Sequence, residues 1–346
     1  MKKVLVGISG GVDSAVTAAI LKKQGFDVVG ITFVFTEDFD TLDAKLVCDK
    51  LNIKHLVVDY KKEFKEKVIT KFIEDYKSGI TPNPCILCNR YVKFQFLYEE
   101  MVKNNCDYIA TGHYAKVIDG SLYKGNDLNK DQSYFLCELT KEQLKYVIFP
   151  LEKITKEETR LIAKEFNLDN ADKKDSYDVC FINNSFKEFI SEYSNNEEGN
   201  VINVLDNKII GKHNGLSKYT IGQRKGLNIG GFENRMYVVG KDVSKNILYI
   251  ATGDDNSYLI STSCVLDEVN ILEPLEDKMY TAKFRYRQEV NEVYLRCDKD
   301  KLIVEYNQGI KSVTPGQICA IYDGNKCVAG GIIKEVRKNN EKLWYL

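Results

Sequence analysis

The chain has 346 residues, room for two or three domains of ordinary size, with 44% hydrophobic and 29% charged residues. That balance excludes a disordered or fibrous protein, and no apolar run approaches the ~20 residues of a membrane helix. A net charge of −1 gives no global nucleic-acid signal, so any RNA surface has to be a local patch. Met1-Lys2-Lys3 before an apolar stretch imitates a signal peptide, but Gly10, Gly11 and Asp13 break the stretch and no cleavage site follows. The chain reads as cytoplasmic. Ten cysteines are too few for a disulfide scaffold at this length. Cys48, Cys106, Cys137, Cys264, Cys297, Cys319 and Cys327 sit in apolar or strand-like runs and are expected to be small buried hydrophobes. Cys85, Cys88 and Cys180 do not fit that description.

The first element is the apolar run Val4-Leu5-Val6, followed by Gly7, Ile8, Ser9, Gly10, Gly11, Val12, Asp13, Ser14 and Ala15. A helical pattern then puts Val16, Ala19 and Ile20 on one face. Strand, glycine turn and helix start come in the order that builds a phosphate cradle. Glycines let the backbone approach a polyanion, and the free N–H groups of the first helical turn face it. The spacing is not that of a Walker loop.

Phe26 to Phe35 is nearly unbroken apolar, as a parallel strand covered on both faces should be. Lys54 to Asp59 and Asp107 to Thr111 predict further strands, with helices over Ala44 to Leu51 and Phe64 to Asp75. The fold class is therefore α/β, with a doubly wound parallel sheet. Thr155 to Glu158 has the form of a capping box, opening a helix with Ile162 and Phe166 on one face. Ser191 to Asn200 is a polar boundary loop. Period-two segments follow at Met236 to Val239, Ile247 to Ala251 and Thr281 to Gln288, punctuated by turn pairs. The last part is expected to be mostly β, in two small modules that break near Asp255 to Ser263. The expected division is 1–195, 196–260 and 261–346.

Thr81 to Phe94 reads TPNPCILCNRYVKF, and Cys85 to Cys88 is a CxxC. Alone it means half a zinc site, a redox pair, or a nucleophile with a neighbour. The chain has no second CxxC to complete a zinc site. Cys180 stands at a polar-to-apolar junction about ninety residues on. A single cysteine is more often a buried thiol, but beside an ATP-activating domain it invites a sulfur-transfer reading.

Seven motifs occur in one order: GISGGVDSA, TPNPCILCN, ATGHYAKV (Ala110 to Val117), KDQSYFL (Lys130 to Leu136), DSYDVCFI, GLSKYTIGQRKGL (Gly215 to Leu227) and VTPGQ (Val313 to Gln317). The glycine loop resembles that of the PP-loop ATP pyrophosphatases, which are adenine nucleotide α-hydrolase-like. The whole series is similar to the tRNA-specific 2-thiouridylase family (MnmA/TrmU). The resemblance covers essentially the entire chain. It implies a PP-loop catalytic domain, a small central domain and a C-terminal β-barrel. It also implies 2-thiolation of the wobble uridine, U34, of tRNA, with ATP and Mg²⁺, and a sulfur-donor protein (a cysteine desulfurase or a relay protein) as partner. There is no membrane role.

Carried over residue by residue, the resemblance assigns ATP to Gly7 through Ser14, with Phe33 and Gly112 framing adenine and ribose and Asp13 helping to place Mg²⁺. Cys180 carries a persulfide, and Cys88 is the second catalytic thiol, assisting the attack or closing a Cys88–Cys180 disulfide. Both need a thiolate fraction, hence a thiol pKa lowered by helix ends or cations. Asn83, Pro84 and Cys85 lie against the target base. His113 and Lys130-Asp131-Gln132 contact tRNA, although a lone histidine is usually a satisfied loop residue. Period two puts Lys283, Arg285 and Arg287 on one strand face, with Phe284 and Tyr286 on the other. Such a stripe is often a solvated face, but beside an RNA-modifying domain it reads as a phosphate-tracking surface, extended by Lys212, Arg224 and Lys225. Gln317 joins this set.

Three departures stand out. Many members have Asp in place of Cys85, Gln in place of Tyr177, and a longer segment after Phe35. The competing readings are another PP-loop enzyme (an amide or guanidino ligase, or a thiolase for a different RNA), a silent RNA-binding protein, and a cluster enzyme. In the last, Cys85, Cys88 and Cys180 hold a [4Fe-4S] cluster whose open iron carries sulfide.

Overall fold

The computed structural model describes residues 1–174, 179–182, 185–194, 197–227, 235–253, 257–298 and 301–346. Tyr177, with Asp175, Ser176 and Asp178 of its motif, and Asp255 at the expected module break lie outside the described residues.

The N-terminal strands are β1 (Lys3–Gly7), β2 (Asp27–Val34), β3 (Lys54–Asp59), β4 (Tyr108–Ala110), the hairpin β5 (Ala115–Ile118) and β6 (Ser121–Lys124), and β7 (Val147–Ile148). Five of them form a parallel sheet in the order β3-β2-β1-β4-β7. Val4, Leu5 and Val6 are fully buried because helices cover both faces, which explains the apolar run. The strand order reverses direction at β1, so the crevice beyond the carboxyl ends of β1 and β4 is where such sheets bind ligands. Helix α1 (Val12–Lys23) starts there, and small residues such as Ala15, Ala18 and Ala19 seat it closely on the sheet.

The central sheet contains β8 (Glu198–Asn203), β9 (Lys208–Asn214), β10 (Met236–Asp242) and β11 (Ile247–Thr252), in the order β10-β11-β8-β9. Six strands of the C-terminal part close a barrel: β12 (Ile260–Ile271), β13 (Met279–Lys283), β14 (Asn291–Asp298), β15 (Lys301–Lys311), β16 (Ile318–Asp323) and β17 (Lys326–Lys338), with the short β18 (Glu341–Lys342) added to β17. Closure comes from β12, which pairs with both β15 and β17. The β5–β6 hairpin extends this same sheet, with Tyr123 opposite Lys326 and the Lys124 N–H donating to the Asn325 carbonyl at 2.9 Å. The core is continuous across that joint, since Leu122 and Tyr134 pack in one cluster with Ile318 and Tyr322.

Two expectations are corrected. Residues 281–288 are not one strand: β13 ends at Lys283, and a turn follows in which the Gln288 N–H donates to the Arg285 carbonyl. The aromatic alternation comes from that turn, which packs Phe284 on Tyr306 inside the barrel and Tyr286 on Phe135. Cys297 is exposed, because it sits at the end of β14, past the buried Val293 that anchors its face.

Candidate active site

The glycine loop leaves β1 at the crevice. Gly10 has φ +78°, a backbone conformation reserved for glycine, and a Cβ there would stand 2.8 Å from that of Asp43. Gly11 caps α1 with no side-chain acceptor, so the first N–H groups of this twelve-residue helix face the crevice uncapped. Ser14 Oγ donates to the Gly11 carbonyl at 3.0 Å and accepts from the Ser9 N–H at 3.2 Å, closing the loop on itself. Gly112, just beyond β4, lies so near that a Cβ would meet the backbone of Asp13 and Ser14 at 2.7 Å. Phe33, near the carboxyl end of β2, is buried against Tyr60 (5.3 Å between ring centroids) and Phe96 (6.4 Å).

Asp13 is not a free carboxylate. Its Oδ1 accepts from the Tyr114 hydroxyl at 2.8 Å and pairs with Lys156 Nζ at 2.6 Å. Lys156 stands at the start of the helix Lys156–Glu165, whose capping box forms as expected between Thr155 and Glu158. The second oxygen, Oδ2, on a side chain still a third exposed, is the hard donor suited to a magnesium ion carried by nucleotide phosphates.

Asn83 precedes the helix Pro84–Cys88, with Pro84 at its first position, where a missing N–H costs nothing. The helix runs into the π-helical turn Asn89–Lys93 and continues as Phe94–Lys103. π-Helical turns recur at functional sites because the extra residue redirects side chains. Here Lys93, at the end of that turn, bears electrostatically on all three cysteines. Cys85 and Cys180 are exposed and within electrostatic reach of each other, while Cys88 is buried beneath them. The expected lowering of thiol pKa is not found. Desolvation of the sulfur atoms, even in the two residues that reach the surface, pushes all three up, Cys88 to about 12, and the Lys93 ammonium opposes this only in part. No group of three or more His, Cys, Asp or Glu side chains placed to hold a metal ion occurs among the described residues.

The residues assigned to RNA fall into two groups. Arg287 is exposed, as are Lys212, Arg224 and Lys225. Several of the others are used within the fold. Asp131 is buried and accepts from the N–H groups of Gly125 and Ser133, both at 3.1 Å, and from Ser133 Oγ at 2.9 Å. Gln132 accepts from the Tyr114 N–H at 3.0 Å. Arg285 donates through Nη2 to the Ile221 carbonyl at 3.1 Å and to Thr314 Oγ1 at 2.7 Å, linking the central sheet to the barrel. Gln317 donates to the Thr81 carbonyl at 2.8 Å, so the barrel grips the segment leading into the CxxC helix. His113 shares a hydrogen bond of 2.7 Å with Thr111, and burial with the nearby Lys93 charge holds its ring well below the usual histidine range, hence neutral. Lys212 pairs with Glu198 at 2.5 Å.

Three domain families match in succession: a tRNA methyl transferase HUP domain over residues 2–184, a tRNA methyl transferase PRC-barrel domain over 187–252, and an aminomethyltransferase β-barrel domain over 261–333. The chain is 43% identical over 368 residues to the tRNA-specific 2-thiouridylase MnmA of Mycoplasmopsis synoviae, covering 100% of this chain and 99% of that protein. It is 44% identical over 365 residues to the protein of the same name from Geobacillus thermodenitrificans, covering 99% and 98%. The chain belongs to the tRNA-specific 2-thiouridylase family. The domain descriptions speak of methyl transfer, but the full-length relatives are thiouridylases, and only the latter similarity spans all three parts together. A solved structure described as a predicted subunit of tRNA methyltransferase from Methanocaldococcus jannaschii overlaps 48% of this chain and 75% of its own, at 22% identity and a TM-score of 0.34.

Several side chains that the sequence did not single out lie against the residues expected to serve this tRNA-uridine 2-sulfurtransferase. Tyr114 lies inside the ATGHYAKV motif, and Lys156 opens the helix of the capping box; their distance from Asp13 along the chain hid both. Lys93 was visible as a lysine five residues after Cys88, but its approach to the thiols depends on the π-helical turn, which has no pattern in the sequence.

Proposed function

We propose that the protein thiolates C2 of the wobble uridine of tRNA in the cytoplasm, through an adenylated base and a protein persulfide. The C2 oxygen attacks the α-phosphate of ATP, pyrophosphate leaves, and the N3 proton is lost. The N–H groups from Ser9 to Ser14 hold the departing pyrophosphate. Asn83, Pro84 and Cys85 face the base. A sulfur-donor protein loads Cys180, and the terminal sulfur attacks C2 as AMP leaves. The Cys88 thiolate then attacks Cys180 Sγ, which frees the thiolated base, closes a Cys88–Cys180 disulfide and leaves an external thiol to reduce it.

The observation that carries this reading is that Cys180 lies within electrostatic reach of both Cys85 and Cys88, in a chain whose first loop has an uncapped pyrophosphate cradle. The raised thiol pKa values fit a resting state that is protected until substrate arrives. The test is product analysis with and without tRNA. AMP and pyrophosphate should form only with tRNA and Mg²⁺ present, and ADP with inorganic phosphate as the main products would overturn the assignment.

A further inference from the structure

The Gly10–Gly11 peptide is the one point in the cradle that its own sequence does not orient. Two glycines in succession can flip the peptide between them at little steric cost. The flip matters, because one orientation offers the nucleotide an N–H and the other a carbonyl oxygen, which repels phosphate. Asn170 lies 160 positions further along the chain, and its Nδ2 donates to the Gly10 carbonyl at 3.1 Å. The side chain is 8% exposed, and its Oδ1 is buried without a hydrogen-bond partner among the described residues. In a trans peptide the C=O and N–H point in opposite directions. Pinning the Gly10 carbonyl therefore aims the Gly11 N–H the other way, where it meets only Ser9 Oγ at a long 3.4 Å. That N–H is a nearly idle donor.

The segment bearing Asn170 is itself held firm. Arg160 donates to the carbonyls of Ala171 at 2.6 Å and Lys173 at 3.0 Å, and Lys173 pairs with Asp43 beside Gly10. We propose that Asn170 is a positioning residue that holds the Gly10–Gly11 peptide with its N–H toward the pyrophosphate end of the nucleotide. This rests on the nucleotide-binding reading of the loop.

The experiment measures, on the full-length protein, binding of inorganic pyrophosphate and of AMP in Mg²⁺ to wild type, Asn170→Asp and Asn170→Leu. Both substitutions keep the volume but remove the donor. Pyrophosphate affinity should fall ~10-fold, the worth of one well-made buried hydrogen bond, while AMP affinity stays within about twofold. Unchanged pyrophosphate binding, or equal loss of both ligands, would overturn the proposal. A wild type that binds no pyrophosphate would instead sink the nucleotide reading itself. Should the variants fail to fold, wild-type protein labelled with [¹³C,¹⁵N]glycine decides the matter. The Gly10–Gly11 amide signal must shift on adding pyrophosphate, and an unmoved signal refutes the role.

Discussion

The glycine loop and the cysteine cluster lie in the same N-terminal part of the chain but are built to opposite rules. The loop is finished before any ligand arrives: Ser14 closes it, Lys156 and Tyr114 hold Asp13, and Gly112 packs against its backbone. The cysteines are unfinished, with Cys88 buried and its thiol held up to about 12, where roughly one molecule in 10⁵ is a thiolate at neutral pH. The difference follows the ligands. Phosphate needs fixed donors, and rigidity supplies them at no cost during the reaction. A thiolate left ready in the absence of substrate would be oxidised, so protonation protects it.

Separating the two halves of the reaction is the strongest way to break this contrast. Cys88→Ala and Cys180→Ala should each lower thiolation at least ~10³-fold while leaving one tRNA-dependent turnover of ATP to AMP and pyrophosphate. Asp13→Ala should lose both halves and also stability, by roughly 1–3 kcal/mol, since it removes the carboxylate that pairs with the buried Lys156 ammonium and accepts from the Tyr114 hydroxyl. Cysteine variants that abolish adenylation would mean that the regions are not separable.

The barrel offers a similar contrast between two arginines. Arg285→Ala should cost about 2 kcal/mol in denaturant unfolding, because it strips two hydrogen bonds from the joint between the central sheet and the barrel. Arg287→Ala should leave stability alone and reduce the salt slope of tRNA binding by ~1. The opposite pattern would restore the basic stripe.

A third test concerns pH. The Lys241 ammonium is buried with no hydrogen-bond partner among the described residues, and burial brings its pKa down to about 7. In the unfolded chain the same amine titrates near 10.4, so the folded state binds fewer protons between pH 7 and 10 and stability rises across that window. Below pH 7 the folded protein carries the buried charge at full cost. Lys241→Met should therefore stabilise by about 1–3 kcal/mol at pH 6 and by little at pH 10. A gain independent of pH would show that the amine is not the cause. The smallest effect should come from Cys85→Asp, which installs the residue the family resemblance leads one to expect there and should keep most of the activity. If that variant is inactive, Cys85 is a working thiol.

The parallel sheet was legible because strands covered on both faces must be almost wholly apolar, as Val4 to Val6 are and Val28 to Val34 nearly are. The Thr155 box was legible for an equally local reason. The failure at residues 281–288 arose from reading alternation as a strand, when each aromatic ring there answers to a different distant partner, Tyr306 or Phe135. Motif order located Cys88, Cys180 and the glycine loop. It gave no sign that Asp131, Gln132, Arg285 and Gln317 spend their polar atoms inside the fold, because burial depends on contacts that close only in three dimensions. Lys156 and Asn170 were missed for the same reason.

The pairing of β6 with β17 bears on how the protein is made. The hairpin leaves the ribosome about 200 residues before its partner strand does, and at ~5–20 residues per second it waits roughly 10–40 s with one edge unpaired. During that time its N–H and C=O groups, and the apolar faces of Leu122 and Tyr134, are open to another nascent chain. A polypeptide stopped before the barrel would keep that edge for good, so the N-terminal part is a poor candidate for separate production. The edge of the first domain's hairpin is covered only by a strand made near the end of synthesis.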